Sequence, residues 1–418
     1  MFDKEVGGTM KKEFYIKNRK RVFDKIKDNS ILILFAGNAP KKTGDEEYPF
    51  TPNRNFYYLT GIDEQAHVLL LSKFNGENKE YLFIKDIDEI MEKWNGKTIR
   101  KEEAREICGI EEVKYLSELD KFIDKLVLNK EELNIYLDLE EKNSSYDYLN
   151  KIKDRYYNIS IKNAYKIIAE LRLVKTEEEI NRIRKAIEIT IEGVENLMKN
   201  TKAGMKEYEL EAYFDFVCKK RGVKDLAFKT IAAAGKNATI LHYVDNNTEL
   251  KENDLILFDL GAQYKYYNAD ISRTFPVSGK FTKRQKEVYN AVLRVNEKII
   301  SEMKPGVKFL DINKLARDLI AEECIKLGLI KNKEDVSKYY YHSIGHSLGM
   351  DTHDVELEGR NVTFEEGMVY TVEPGIYIEK EGIGIRIEDD VLITKDGNEV
   401  LTKNMIKSVE QIEEFMSK

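Results

Sequence analysis

The sequence predicts a mixed α/β (α+β) protein of two domains, the second a pseudo-symmetric domain made of two similar helix–helix–sheet units. Three observations carry this. The chain has 418 residues, beyond the size at which one hydrophobic core usually stops growing. Its first part mixes short apolar runs, bounded by turn residues, with helical stretches. Its second part repeats a capping box, an apolar helical stripe, a glycine joint, a second helix and an acid-bearing hairpin in the same order.

In the first domain, residues 1–170, the runs ILILFAG at 31–37, HVLLLS at 67–72 and EYLFI at 80–84 read as buried strands. Between them, YPFTPNRNFYYLTGID at 48–63 is aromatic and closes on a glycine turn, which reads as core and interface packing. Trp94, the only tryptophan, falls on a predicted loop in EKWNGK, where a packing plug is the commoner role. Met10, followed by two lysines, is an alternative start that leaves residues 1–9 as a loose extension.

The second domain, residues 171–418, opens at Thr176, where TEEE supplies an N-cap and a Glu three residues on. Ile180, Ile183, Ile187, Ile191 and Val194 then mark one buried helical face. A second helix is predicted at about 206–220. Thr282 and Gln285 repeat the box, Val288, Val292, Val295 and Ile299 repeat the stripe, and a further helix runs from about 311 to 327. The joints match as KAGMK at 202–206 and KPGVK at 304–308, with a glycine free to take φ > 0 and redirect the chain.

Composition excludes several classes. The 68 basic residues are interleaved with 75 acidic ones for a net charge of −7, which gives no sign of nucleic-acid binding. No apolar run approaches the ~20 residues of a membrane span, and the amino terminus lacks a signal-peptide core. Cys108, Cys218 and Cys324 are few and far apart, which suits reduced thiols in a cytoplasm.

The chemistry concentrates in three stretches. LFDLGAQYKYYNADISRTFP at 257–276 carries Asp259 and Asp270 on one predicted hairpin. YHSIGHSLGMDTHD at 341–354 holds three of the five histidines, His342, His346 and His353, and TVEPGIYIEKEGIGIRIEDD at 371–390 places Glu373 and Glu388 on a second hairpin. Asp259 and Asp270 are equidistant from a midpoint between Tyr264 and Lys265, so a symmetric hairpin sets them face to face, Cβ atoms roughly 5 Å apart. Tyr-Lys is a poor turn dipeptide, and a bulge there shifts the register by one. Glu373 and Glu388 are equidistant from a midpoint between Lys380 and Glu381, with Gly382 at the turn.

Taken singly, these residues have ordinary readings. An Asp in a DLG turn usually caps it, Glu388 with Asp389 and Asp390 reads as a solvated acidic edge, and histidines four apart often share a helix surface. Together, inside apolar strands, they do not, because like charges facing each other on strands are destabilising unless a cation lies between them. Two divalent ions balance four carboxylates. Oxygen ligands with one imidazole suit manganese, cobalt, iron or magnesium better than a thiolate-type zinc site. Such a pair activates water and polarises a carbonyl, so the sequence reads as a two-metal hydrolase.

The motifs DLGAQY, ADISRTF, GHSLGMDTHD, TVEPGIY and GIGIRIEDD, with NFYYLTG in the first domain, resemble the metal-dependent aminopeptidases of the pita-bread fold, and most closely the Xaa-Pro aminopeptidases. The resemblance covers nearly the whole chain. It implies a catalytic pita-bread domain behind a smaller α/β domain that caps the cleft. It implies that Asp259 holds one metal, that His346 and Glu373 hold the other, and that Asp270 and Glu388 bridge them. Glu373 is then also the base that deprotonates the attacking water. His242 lines the site, His353 lies near the scissile carbonyl or leaving nitrogen, and His342, Tyr377 and Arg386 surround the proline ring and its downstream carbonyl. Trp94 reaches the site of a neighbouring subunit in a homodimer or homotetramer. The metal expected is manganese, with cobalt, iron or zinc also accepted by the ligand set, and the substrate is a peptide beginning Xaa-Pro.

The rival readings share the fold. An Xaa-Pro dipeptidase uses the same ligands, and the aromatic first-domain segment and short Glu373–Glu388 hairpin favour the aminopeptidase over it. Methionine aminopeptidases generally lack so large a first domain. A non-catalytic binding protein, or a metal-free creatinase-like enzyme, is disfavoured by the intact ligand set.

Overall fold

The computed structural model describes residues 10–128, 130–140, 144–357 and 361–417. The loose extension expected over residues 1–9 lies outside them. Two units are present, Met1–Leu171 and Arg172–Lys418.

The first unit is a six-stranded sheet in the order β4-β3-β2-β1-β5-β6. Its strands are β1 (Ser30–Phe35), β2 (Val68–Phe74), β3 (Glu77–Ile84), β4 (Glu112–Tyr115), β5 (Leu133–Leu137) and β6 (Ile159–Asn163). The helices of this part of the chain are α1 (Lys12–Lys25), α2 (Arg54–Thr60), α3 (Glu89–Asn95), α4 (Lys101–Cys108), α5 (Leu119–Val127), α6 (Ser144–Lys153) and α7 (Tyr165–Leu173). The three predicted apolar runs are β1, β2 and β3. Ile31 and Ile33 pack with Ile123 of α5 and Leu149 of α6. The alternate residues Leu32 and Leu34 are buried as well, as expected of a strand covered on both faces.

The aromatic segment is core in its second half, where Phe56, Tyr57 and Tyr58 of α2 are buried, whereas Tyr48 is exposed. Asn53 caps α2 by accepting from the Phe56 N–H, and Gly61 ends it at φ 70°. A Cβ at Gly61 would lie 2.3 Å from the Tyr15 ring, so only glycine turns the chain there. Trp94 departs from expectation twice. It lies on helix α3 instead of a loop, because Asp88 caps the N–H groups of Ile90 and Met91. It is 80% exposed and plugs nothing.

The second unit repeats itself as predicted. α8 (Glu177–Asn200) pairs with α9 (Glu207–Lys220), and α10 (Lys283–Glu302) with α11 (Phe309–Lys326). Both capping boxes form, Thr176 with Glu179 and Thr282 with Gln285. Gly204 and Gly306 take φ of 87° and 85° at the joints. The joints even share their hydrogen bonds. Gly204 donates to the Leu250 carbonyl, and Leu250 returns a bond to Met205; Gly306 donates to Phe364, and Phe364 returns one to Val307.

Each helix pair is followed by strands. β7 (Ile231–Ala234), β8 (Leu255–Leu260) and β11 (Ile271–Pro276) form a sheet ordered β11-β8-β7, and β9 (Gln263–Tyr264) with β10 (Tyr267–Asn268) continues the hairpin. The second half has β12 (Val369–Val372), β15 (Asp389–Ile393) and β16 (Asn398–Val400), with β13 (Gly375–Ile378) and β14 (Ile383–Arg386) continuing that hairpin. The chain closes on α12 (Val409–Met416).

The first hairpin corrects the expected register. Asp259 lies opposite Ser272, not Asp270, and Tyr264 lies opposite Tyr267. The turn is Lys265–Tyr266, both at positive φ (48° and 68°), the two-residue geometry that matches strand twist. No bulge intervenes; the shift is two residues. An even shift keeps every side chain on its face, so Asp270 still projects to the side of Asp259. The second hairpin has the predicted register: Val372 pairs with Asp389 and Gly375 with Arg386. Glu373 and Glu388 sit in the gap between those two ladders.

Candidate metal centre

Strand geometry brings the acids together. Asp259 is flanked across the ladders by Ser272 and Ile231, and residues directly opposite share a face. The two hairpins are stitched to each other. The Glu388 N–H donates to the Ser272 carbonyl at 3.1 Å, and the Asp270 N–H to Asp390 Oδ2 at 3.3 Å. His346 arrives on an extended segment paired along β12: the Thr371 N–H donates to the His346 carbonyl and the Glu373 N–H to that of Ile344. His342 and His346 therefore lie on no helix.

Asp270, His346 and Glu388, all buried, each offer a ligand atom within 4.8 Å of the others. His346 Nε2 is 3.4 Å from Asp270 Oδ2 and 3.8 Å from Glu373 Oε1. Its Nδ1 lies 3.1 Å from the Ser347 carbonyl, an acceptor, which puts the ring proton there and turns the Nε2 lone pair toward the carboxylates. Burial, then the Asp259 charge, hold the Asp270 carboxyl well above its usual range. Burial, then Asp270, do the same to Glu388. Asp259 accepts from Arg386 Nη2 at 2.6 Å, while its other oxygen is buried with no hydrogen-bond partner among the described residues. One guanidinium cannot offset four carboxylates. An imidazole lone pair, an orphaned carboxylate oxygen and two carboxyls resisting ionisation fit divalent cations.

A second group stands beside the acids. Arg386 donates from Nε to Ser272 Oγ at 2.7 Å and from Nη1 to Tyr377 Oη at 3.2 Å. The Tyr377 hydroxyl donates to His342 Nε2 at 2.8 Å, and His342 Nδ1 lies 2.7 Å from the Ser343 carbonyl. Burial, then Arg386, push the His342 pKa down to about 3, so the ring is neutral.

A cavity of about 640 Å³ is lined by His242, Asp259, Asp270, His342, His346, His353, Glu373, Arg386 and Glu388. The His353 ring packs 4.1 Å from that of His346, and Tyr377 is buried behind His342. Trp94 belongs to the first unit and stays on its surface.

The acidic run is not a solvated edge, since Glu388, Asp389 and Asp390 are all buried. Alternation sends them apart. Glu388 faces the cavity, while Asp389 ion-pairs with Arg273 and Lys407 at 2.8 Å each. Sequence reasoning missed Ser272, whose hydroxyl donates to Glu388 Oε2 at 2.9 Å, and missed Arg273 and Asp390. Their signal was present as polar residues inside otherwise apolar strands.

Comparison with known proteins agrees with this geometry. Residues 181–395 match metallopeptidase family M24, and residues 15–136 match the aminopeptidase P N-terminal domain. The chain is 33% identical to the Xaa-Pro aminopeptidase of Haemophilus influenzae, covering 97% of each, and 34% identical to that of Escherichia coli, covering 96% of each. A solved structure from Bacillus anthracis, provisionally named aminopeptidase P, superposes with a TM-score of 0.95 at 49% identity, covering 98% of this chain and 99% of that one. Escherichia coli aminopeptidase P with the inhibitor Pro-Leu superposes with a TM-score of 0.92 at 32% identity over the same shares. The pita-bread architecture implied by the motifs is thus the fold observed, and the chain belongs to metallopeptidase family M24, with an aminopeptidase P N-terminal domain ahead of its metallopeptidase domain.

Proposed function

We propose that this protein is a metal-dependent aminopeptidase that releases the first residue from peptides with proline second. The observation that carries the reading is the juxtaposition of four cavity carboxylates and the His346 lone pair with the neutral His342 ring, which Tyr377 holds and Arg386 supports. An Xaa-Pro bond is a tertiary amide with no N–H to grip, so a site for it needs an uncharged slot for the ring and strong activation of the carbonyl. Its Xaa-Pro aminopeptidase relatives span nearly the whole chain.

Asp259 would hold one divalent ion, His346 and Glu373 a second, with Asp270 and Glu388 shared. Bound there, such ions supply Lewis acidity toward the scissile carbonyl and lower the pKa of water. Manganese is the ion proposed, with cobalt, iron or zinc also suited to this donor set. Glu373 accepts the proton of the attacking water and passes it on toward the prolyl nitrogen. His353 orients the scissile carbonyl or leaving nitrogen, and His242 borders the bound peptide. His342 flanks the proline ring, Tyr377 holds His342 from behind through its hydroxyl, and Arg386 fixes Asp259. The Asp259 carboxylate also faces the substrate's α-ammonium, which restricts cleavage to the first residue.

Three finer readings accompany this. Trp94, exposed on α3, would reach the active site of a second copy in a homodimer or homotetramer. A cytoplasmic location accords with Cys108, Cys218 and Cys324, all free and buried. The division at 170/171 would separate a capping domain from a catalytic one.

The test is hydrolysis of Arg-Pro-Pro by metal-stripped protein refilled with Mn²⁺, beside Asp270→Ala. Free arginine from the wild type alone supports the proposal. Cleavage of Ala-Pro without Arg-Pro-Pro would replace it with a dipeptidase, and inactivity on both with metal bound would end the catalytic reading.

A further inference from the structure

Lys229 lines the cavity, yet it makes no hydrogen bond, ion pair or ring contact among the described residues. Most other cavity charges are engaged: Arg386 holds Asp259, and the acids and histidines contact one another. The neighbouring residues Phe228 and Thr230 are half-buried and buried, so the backbone is held while the lysine side chain stays exposed.

The ladder locates this ammonium. Ile231 at the start of β7 lies opposite Asp259, and further along the same line Ala227 donates to the Gly261 carbonyl. Lys229 falls between them, past Asp259. Ile231 and Ala233, on the other side, pack with Tyr377. Lys229 therefore stands past Asp259 on the Ala227 side of the cavity, one step along the line from Ile231, which packs with Tyr377. The Thr352 hydroxyl, beside His353, donates to the Ala227 carbonyl at 3.2 Å and closes that end.

We infer that Lys229 reads the side chain of the substrate's first residue, favouring a carboxylate there and disfavouring a cation. This rests on the aminopeptidase reading, in which the α-ammonium lies at Asp259 and the first side chain beside it. A carboxylate at the substrate's far C-terminus offers the same chemistry, and comparing free with amidated peptides separates the two.

The test compares Glu-Pro-Pro, Gln-Pro-Pro and Lys-Pro-Pro, each with a free and an amidated C-terminus, on Mn²⁺-loaded full-length wild type, Lys229→Met and Lys229→Glu. An exposed ion pair of this kind is worth about three- to fivefold in kcat/KM. The wild type should prefer Glu over Lys at the first position, Lys229→Met should level the two, and Lys229→Glu should invert them. Gln-Pro-Pro should be unchanged throughout, and added salt should shrink the differences. An unchanged Glu-to-Lys ratio in Lys229→Glu, with Gln-Pro-Pro still cleaved, overturns the inference. So does an effect that follows C-terminal amidation instead. Calorimetric binding of the same peptides supplies a readout without turnover. A Lys229-dependent preference in binding without hydrolysis upholds the inference and defeats the aminopeptidase reading. Peptides neither bound nor cleaved defeat both.

Discussion

Arg386 Nη2 lies 2.6 Å from Asp259 Oδ2, and the same guanidinium reaches Ser272 and Tyr377 through its other nitrogens. Only a planar fork makes these three contacts at once. Arg386→Lys keeps the charge but abandons the fork, leaving Ser272 and Tyr377 without this donor. A lost charge-assisted bond in a buried site is worth about 1.5–3 kcal/mol, roughly ten- to a hundredfold in rate. The kcat/KM for Arg-Pro-Pro should fall by that factor while metal content, measured on the same sample, is retained. A variant within threefold of wild type would remove Arg386 from the machinery.

Asp270 should have opposite effects on stability with and without metal. A carboxyl raised in the fold stabilises fully below its ordinary value of 3.8, and that contribution is lost as pH rises through the elevated folded value. At neutral pH the metal-free protein therefore carries a penalty, which Asp270→Asn abolishes because an amide never ionises. Urea denaturation of metal-free protein should show the Asn variant more stable by about 1–3 kcal/mol. With Mn²⁺ present the order should reverse, because the variant loses a ligand. The same sign in both conditions would contradict a shared-ligand role.

The duplication was legible because its signals are local. Thr176 and Thr282 act through bonds to residues three positions on, Gly204 and Gly306 through their own freedom to take positive φ, and each did in the fold what its chemistry predicts. The carboxylates were legible as like charges in apolar strands. The first hairpin's register was not, because it depends on Lys265 and Tyr266 accepting positive φ, which neither residue type advertises. Trp94 was misplaced for a similar reason: Asp88 caps a helix too short to announce itself by periodicity. The supporting contacts of Ser272, Arg273 and Asp390 join residues more than a hundred positions apart, beyond any spacing argument.

His67 supplies a pH prediction far from the carboxylates. It is 1% exposed, its Nδ1 lies 2.8 Å from the Gln65 carbonyl, and burial pushes its pKa down to about 4. A depressed histidine stabilises fully above its ordinary value of 6.5, and this is lost as pH falls through the folded value near 4. Across that window the unfolded chain binds the extra proton, so stability falls with acidification, by about 3 kcal/mol in all. His67→Gln should flatten that segment of the stability–pH curve. Direct NMR titration should show the His67 ring still neutral at pH 5.5; a midpoint near 6.5 would refute the assignment.

Arg172 gives the strongest stability prediction. Its Nη2 contacts Asp354 Oδ1 at 2.5 Å and Asp351 Oδ2 at 2.8 Å, and Lys175 Nζ meets Asp354 Oδ2 at 3.1 Å. Arg172, Lys175 and Asp354 have side chains no more than 4% exposed. Asp354 in turn donates its N–H to the Ser347 carbonyl, so the cluster clasps the loop that carries His346 and His353. Arg172→Met leaves Asp354 with one cation where it had two, and breaking a buried ion pair from one side typically costs about 3–5 kcal/mol. Arg172→Lys should restore part of this. Asp354→Asn should cost less in the Arg172→Met background than in the wild type, because Lys175 alone, and no longer Arg172 as well, then loses its anion. A non-additivity above about 0.5 kcal/mol in that double-mutant cycle, read by urea denaturation, is the expected result. Additive losses would mean that the three side chains merely fill space, and that other contacts position the histidine loop.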